Sequence, residues 1–587
     1  MFKLSRQYWE AISRKIAWGH WFALFNIIFA ILIGARYAFI SDWPETFIGR
    51  FYFIINILGH FSFIVFALYL LVLFPLSFII KNPATFRGVS VIFATIGLTL
   101  LLFDSEVFYR FNLHLSILIW DILVNPDNGR LARNWEIFFA PMPLILMVLM
   151  IFSRWSWDKL RSLERQKWVK GVVLVLTLCF VCSHLIYAWA DAYFYRPVTA
   201  QRANLPLAYP MTARTFLQKN QLLDKDIYFD RLSQTGRLDA PALDYPKTAL
   251  YYGAQSTPVQ NILVINISGL RFDALDGEAM PTLREFAARN IQLSNNYSGS
   301  NEQDGALVSL FYGLNANYLD SLLNQKTQPV WFDRMQELGY HFGAFANANS
   351  TLYRNTLFGK RLNVLSDDAQ RTQAWLDWQA QARQQAQTPW FSYMQFDLIG
   401  AMKGVLNAPE AEKQAEYALQ LQRIDSYLAQ MLAQINQGAT DTVVIITADQ
   451  GYSFNAKFQQ DSNYFGQDRL QVPLIMQWRG HGAGHYASIT SLMDIVPSVM
   501  QEVFALENRN GDYTQGRNLF SADNASWVFA ANQRWNVIIA RDGTQYQLDS
   551  KGEYFQYDAK HQLMPSEKPP LELFLQVFNR DRNFLAR

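Results

Sequence analysis

Short runs that follow buried apolar stretches hold the groups that could do chemistry in this chain: Ser268-Gly269-Leu270, Asp449-Gln450-Gly451 and Gly466-Gln467-Asp468-Arg469. In an open α/β sheet, reacting groups gather at the carboxyl ends of the strands. A further run, SGSNEQDG, sets Asn301 and Glu302 at a turn. Asp449 is the carboxylate these runs offer at a strand end; Asp273 and Asp304 could be recruited, but they belong to no ligand motif. One carboxylate among hydroxyl and amide groups suits a divalent cation poorly, because such ions ask for several carboxylates or imidazoles. The histidines of the C-terminal part are His341, His481, His485 and His561, and HGAGH (481–485) is their one close pair. Its glycines suggest a loop more than a clamp. No metal site and no cofactor are therefore expected, a residual divalent metal being the alternative.

A different chemistry, anion binding at a membrane surface, is available in RANLPLAYPMTARTFLQKN (202–220). Pro210 suits the first turn of a helix, and Met211, Phe216 and Leu217 would form an apolar face beside Arg214 and Lys219. Such a helix can lie along a leaflet. Its free amides, with Thr212 and Arg214, could hold a lipid phosphate. The alternative is a solvated amphipathic linker helix.

The elements that must position these groups fall into two kinds. Apolar stretches run from about Ile16 to Ile40, Phe51 to Ile80, Val89 to Phe103, Trp135 to Ser153 and Trp168 to Trp189. Most reach the ~20 residues needed to cross ~30 Å of hydrocarbon. The third is shorter and ends against Asp104 and Glu106. The first has too long an apolar core for a cleavable signal peptide, and no small-residue cleavage site follows it. Lys3, Arg6, Arg14 and Lys15 precede the first span; Lys81 and Arg87 follow the second; Arg154, Lys159, Arg161, Arg165, Lys167 and Lys170 follow the fourth. Positive residues are retained in the cytoplasm, so the N-terminus is expected inside and the C-terminal part outside, which in a bacterium is the periplasm. Phe111 to Val124 reads as an interfacial or re-entrant helix. Of the polar groups within the spans, His20, Arg36 and His184 lie near ends where they can snorkel, whereas His60 is deeper and suits an interhelical hydrogen bond or a functional contact.

Beyond residue 261, NILVINISGL, HFGAFANA, WFSYMQF, TVVIITAD and VPLIMQW read as strands of a parallel sheet buried on both faces. Helical patterns such as PTLREFAARN and APEAEKQAEYALQLQRIDSYLAQMLAQI separate them, which argues for a doubly wound α/β sandwich. SWVFAAN, WNVIIARDG and TQYQLDSKGEYFQYD look like antiparallel hairpins at its edge. A net charge of +2 gives no polyanion-binding signature, so nucleic acid is not an expected partner. Cys179 and Cys182 have CxxC spacing but sit inside the fifth apolar stretch, where packing is the simpler role.

The strand order, VVIITADQG (443–451), LQVPLIM (470–476) and SLMDIVPSVM (491–500) resemble the alkaline phosphatase and sulfatase superfamily, especially its membrane-tethered phosphoethanolamine and lipoteichoic acid transferase branch. The whole chain is more similar still to the inner-membrane YejM family, also called PbgA or LapC, through WGHWFALFN (18–26), GHFSFIVFALYLLVLFPL (59–76), DSEVFYRFNLHL (104–115), RANLPLAYPMTAR (202–214) and LFYG (310–313). The resemblance implies an α-helical five-span membrane domain (1–190), an interfacial linker (191–260) and a periplasmic α/β sandwich of the alkaline phosphatase/sulfatase type (261–587).

Catalytic members of that superfamily hold a metal by a carboxylate after the first strand, an Asp-His pair and a further His, with a nucleophile at a helix start. Measured against that pattern, Ser268 replaces the first carboxylate, Gln450 replaces the His after Asp449, Gln467 or Arg469 falls in the later His region, and Asn301 and Glu302 stand at the nucleophile. Asp449, Ser268, Glu302 and Gln450 would thus be vestiges of a catalytic site. The resemblance implies instead a regulator that binds lipopolysaccharide through its lipid A phosphates. It would restrain the adaptor LapB through the membrane helices and so protect the deacetylase LpxC from the protease FtsH. The implied lipid contacts are Arg202, Tyr209, Pro210, Met211, Thr212, Ala213, Arg214 and Lys219, with Thr215 where the family often has a second basic residue. The rival readings are a metal-dependent phosphatase or phosphoethanolamine transferase acting on lipid headgroups, and a cardiolipin-binding or transport protein.

Overall fold

The computed structural model describes the chain except residues 1–5, 42, 112–113, 116–119, 121–138, 255–259, 385–387, 437–440, 522–524, 550–553, 566–582 and 586–587. Two compact units emerge, one reaching Leu232 and including Leu238–Ala240, the other formed by Ser233–Arg237 and Pro241–Ala586. The stretch 191–260 is therefore shared between them.

In the first unit, helices Arg6–Ile40, Phe47–Leu68, Pro83–Phe111, Met142–Asp158 and Trp168–Ala192 follow one another. The second continues through a π-helical turn, Tyr69–Leu73, into Phe74–Ile79. Four of these helical stretches are long and apolar enough to cross a membrane among the described residues. The third, expected to be marginal, is a full 29-residue helix, because Asp104 and Glu106 are satisfied inside it: Asp104 accepts from Tyr37 at 2.5 Å and Glu106 pairs with Arg36. Arg36 is thus held by an ion pair, where snorkelling was expected. The Trp135–Ser153 stretch is described only in part, as the 17-residue helix Met142–Asp158, so the count stands at four to five apolar helices. Most of Phe111 to Val124 lies outside the described residues. Helices Phe47–Leu68 and Trp168–Ala192 meet at Gly59, where an added Cβ would fall 2.6 Å from the Cα of Phe180. Small residues allow such approach where no hydrophobic force drives helices together.

The second unit is built on an eight-stranded sheet. Its strands are β1 (Asn261–Ser268), β2 (Ile291–Leu293), β4 (His341–Ala346), β5 (Leu362–Val364), β6 (Trp390–Asp397), β7 (Thr442–Thr447), β8 (Leu474–Gln477) and β9 (Gly484–Tyr486), with β3 (Asn296–Tyr297) paired apart from it to β10 (Thr490–Ser491). The order is β5-β4-β6-β1-β7-β8-β2-β9. The five apolar runs are all strands, and β1 and β7 are buried at every position. The sheet is mixed, however. β8, the LIMQ of VPLIMQW, runs antiparallel to β7 and to β2, which corrects the all-parallel expectation. A separate antiparallel sheet, β11 (Trp527–Ala531), β12 (Trp535–Ala540), β13 (Gln545–Asp549) and β14 (Tyr554–Tyr557), accounts for the expected hairpins.

Candidate functional site

The ends of β1, β6 and β7 bring the strand-end groups together. Ser268 is in register with Asp397, and Asn266 with Thr447, so Asp449, two residues past β7, lies beside both. Its carboxylate is fully buried and accepts from the Gln450 N–H at 2.8 Å, from Asn266 Nδ2 at 3.2 Å and from the Ser268 hydroxyl. Burial pushes the carboxyl up to about 6, against these hydrogen bonds, which hold it down. Asn266 also donates to Tyr393, whose hydroxyl meets that of Tyr353 at 2.7 Å. Gly269 permits the turn: its φ is +102°, and its N–H donates to the Gln450 carbonyl at 2.8 Å.

The Gly466-Gln467-Asp468-Arg469 run folds over this cluster as a short helix, Gln467–Leu470. Arg469 is buried, and its guanidinium donates to five acceptors: the carbonyls of Phe458, Gln459, Asp461 and Asn301, and Oε1 of Gln450 at 3.0 Å. The Asn301 side chain donates to the carbonyls of Ser462 and Tyr464 and accepts from Asn532. Glu302 stands at the N-cap of helix Gln303–Tyr312, where burial raises its carboxyl and Arg469 opposes the rise. Of the vestigial candidates, Asp449, Ser268 and Gln450 are joined by hydrogen bonds, and Arg469 contacts Gln450 and acts electrostatically on Glu302.

The residues present do not fit the divalent metal of the superfamily. Both oxygens of Asp449 already accept hydrogen bonds, and a fixed positive charge contacts the amide where an imidazole would be needed. Asp273 is engaged by Arg271 through two hydrogen bonds, at 2.9 and 2.7 Å. His341 stacks on Trp378 and His481 on Phe520, away from the cluster; His561 stacks on Tyr557 and meets the ring of Tyr464 edge-on at 4.7 Å, and burial lowers its imidazole to about 4. Among the described residues no three His, Cys, Asp or Glu side chains are placed to share a cation. A cavity of about 280 Å³ lined by Arg289, Asp441, Trp478 and Arg479 lies at the opposite end of the strands, by the start of β7.

The residues expected to contact lipid lie in the first unit, and their local structure differs from the expectation. Helix formation begins at Arg214 and ends at Lys219; Tyr209 to Ala213 are not helical. Pro210 opens no helix, and the amides after it are not a helix N-terminus. The Met211 N–H instead donates to His184 Nδ1 at 2.9 Å. Arg214 does not stand free for a phosphate either. Its Nε and Nη2 donate to Asp191 at 2.6 and 2.5 Å, and the ring of Tyr228 lies 5.3 Å from its guanidinium carbon. The Asp191 side chain is 3% exposed, so this pair answers a buried charge, and it raises the Arg214 guanidinium further. Arg202 pairs with Asp239 at 3.1 Å, and Lys219 points to solvent. Tyr209 and Met211 are 79% and 47% exposed.

Sequence reasoning missed the partners of these groups. Asp397, which accepts from Asn347 at 2.7 Å, and the buried Arg371, which donates to Asp368 and to the Gln395 carbonyl, bound the strand-end cluster on its other side. Their signal was available: Asp397 ends an apolar run as Asp449 does.

Mixed sheet, strand-end cluster and preceding apolar helices together define a membrane-anchored protein of the sulfatase and alkaline phosphatase type. Residues 260–503 match the Sulfatase family, and residues 5–252 match a domain of unknown function, DUF3413. A solved protein of the alkaline phosphatase superfamily from Vibrio parahaemolyticus aligns over 62% of this chain and 98% of its own, with 14% identity and a TM-score of 0.44. An uncharacterized protein of Haemophilus influenzae is 49% identical over 99% of this chain and 98% of its own length. The inner membrane protein YejM of Salmonella typhimurium is 38% identical over 99% of both chains. The chain belongs to the YejM family.

Proposed function

We propose that this protein is an inner-membrane sensor of lipopolysaccharide in the periplasmic leaflet, whose sulfatase-like domain does no catalysis. The observation that carries the reading is the Pro206–Ala213 segment: irregular backbone among membrane helices, with Leu207, Tyr209 and Met211 turned outward. Amphipathic aromatic and apolar side chains of this kind favour the headgroup boundary of a bilayer. The basic residues beside the first, second and fourth spans support a cytoplasmic N-terminus and a periplasmic C-terminal domain. The strand-end cluster, in which Gln450 follows Asp449 and accepts from Arg469, supports a regulatory role over hydrolysis.

In this reading lipid A lies against Tyr209–Arg214, and the membrane helices restrain a LapB-type adaptor, so protecting LpxC from FtsH. Lipid can act as a signal only by binding the adaptor-free and adaptor-bound states unequally. Titration of lipid A into nanodiscs that hold the full chain and the adaptor tests this. Release of the adaptor is expected; adaptor binding that ignores lipid A would contradict the proposal.

A further inference from the structure

Three histidines from separate elements of the membrane unit converge on one stretch of backbone. His114, just after helix Pro83–Phe111, meets the Ala203 carbonyl at 3.0 Å through Nε2; His60, midway along helix Phe47–Leu68, meets the Pro206 carbonyl at 2.7 Å; His184, on helix Trp168–Ala192, accepts from the Met211 N–H at 2.9 Å. Past the turn at Pro206 and Leu207, the described backbone of Tyr209–Thr212 makes no hydrogen bond to other backbone. Leu205 packs into the same apolar cluster as Trp18, Phe61 and Leu98, and Ala208 against it, so the segment lies among the helices. Irregular backbone in such a place needs side-chain partners. The imidazoles supply them, and Asp191 fixes the far end through Arg214. Asp104 in turn orients His114, its Oδ2 lying 2.8 Å from Nδ1.

We propose that His60, His114 and His184 are positioning residues that clamp the Ala203–Arg214 strap, so that an anionic headgroup bound to the strap is coupled to the packing of the helices that carry them. The proposal rests on reading the strap as a headgroup site. A ligand that bends the strap must break ring-to-backbone hydrogen bonds, and by linkage the helix arrangement that keeps those bonds changes ligand affinity by the same factor.

The test uses the full chain in nanodiscs of phosphatidylethanolamine, with and without lipid A. Hydrogen exchange reads the strap amides. Oxidative cross-linking of Phe63→Cys with Phe180→Cys, in a Cys179→Ser, Cys182→Ser background, reads helix packing, since these rings stack with centroids 4.6 Å apart. Exchange at Met211 should rise at least tenfold in His184→Ala and recover in His184→Gln, whose amide oxygen can still accept. Lipid A should change the cross-linking rate at least threefold with the clamp intact and leave it unchanged in the triple His→Ala chain. Strap exchange indifferent to the histidines would overturn the clamp. Lipid A that binds the strap without moving the cross-linking rate would overturn the coupling while sparing the headgroup reading. No lipid A binding by the unsubstituted chain would overturn the headgroup reading and this inference with it.

Discussion

Nη2 of Arg469 donates to Oε1 of Gln450 at 3.0 Å, so the residue that follows Asp449 has a guanidinium as its cationic neighbour. A planar group with five donors can satisfy several carbonyls at once, whereas an ammonium has three. Arg469→Ala would strand the Asn301 carbonyl and the Gln450 side chain in a buried place. We expect it to cost about 1–3 kcal/mol for each buried acceptor left unsatisfied, and Arg469→Lys to recover less than half. Thermal unfolding of the detergent-purified chain checks both values, and a full rescue by Lys would mean that charge alone matters there.

The same contact predicts how hard the superfamily's metal is to restore. Ser268→Asp with Gln450→His supplies two ligands beside Asp449 but leaves the guanidinium in contact. That double variant should not take up Mn²⁺, measured by electron paramagnetic resonance. Adding Arg469→His should produce a bound signal. Uptake by the double variant would show that Arg469 does not exclude the ion.

Asp449 makes stability depend on pH. Its folded-state carboxyl, near 6, lies above the ordinary value of 3.8, so the native state favours the protonated form. The contribution of this group is then fully present below about pH 4 and is lost as pH rises through 6. Asp449→Asn removes the titrating group but turns an NH2 toward a donor that one carboxylate oxygen now satisfies, so its stability relative to the unsubstituted chain, read by thermal unfolding, should rise between pH 4 and pH 7 by roughly 2–3 kcal/mol, whatever the offset. A difference that is constant with pH would assign the effect to packing.

Arg214 and Asp191 form a pair whose members should not be changed singly. Arg214→Gln leaves Asp191 buried without its partner; because Arg214 is itself 43% exposed, the cost is expected at roughly 1–2 kcal/mol. Asp191→Asn in the same chain should recover most of it. Melting curves of the two single variants and the double variant check the coupling.

How much of this was legible in sequence depended on the range of the interactions involved. The five apolar strands could be read because burial on both faces leaves continuous runs such as Val443–Ile446. The reversed direction of Leu474–Gln477 could not, because strand direction is set by distant pairing. Asp449 announced itself by closing an apolar run, but the seat of the Arg469 guanidinium depends on carbonyls from 8 to 168 residues away. Pro210 gave a sound local signal for a helix start, and tertiary structure overrode it: His184 takes the Met211 amide and Asp191 takes Arg214. His60 and His184 stood out as polar groups in apolar spans, yet nothing local showed that their partner was the strap.

The most direct test of the central claim is native mass spectrometry of the detergent-purified chain beside the Tyr209→Ala, Met211→Ala double variant, which removes outward-facing side chains of the strap. The account predicts lipid A on the unsubstituted protein, at least tenfold less on the variant, and no divalent metal on either. Bound metal together with phosphoester hydrolysis that is lost in Asp449→Ala would contradict it.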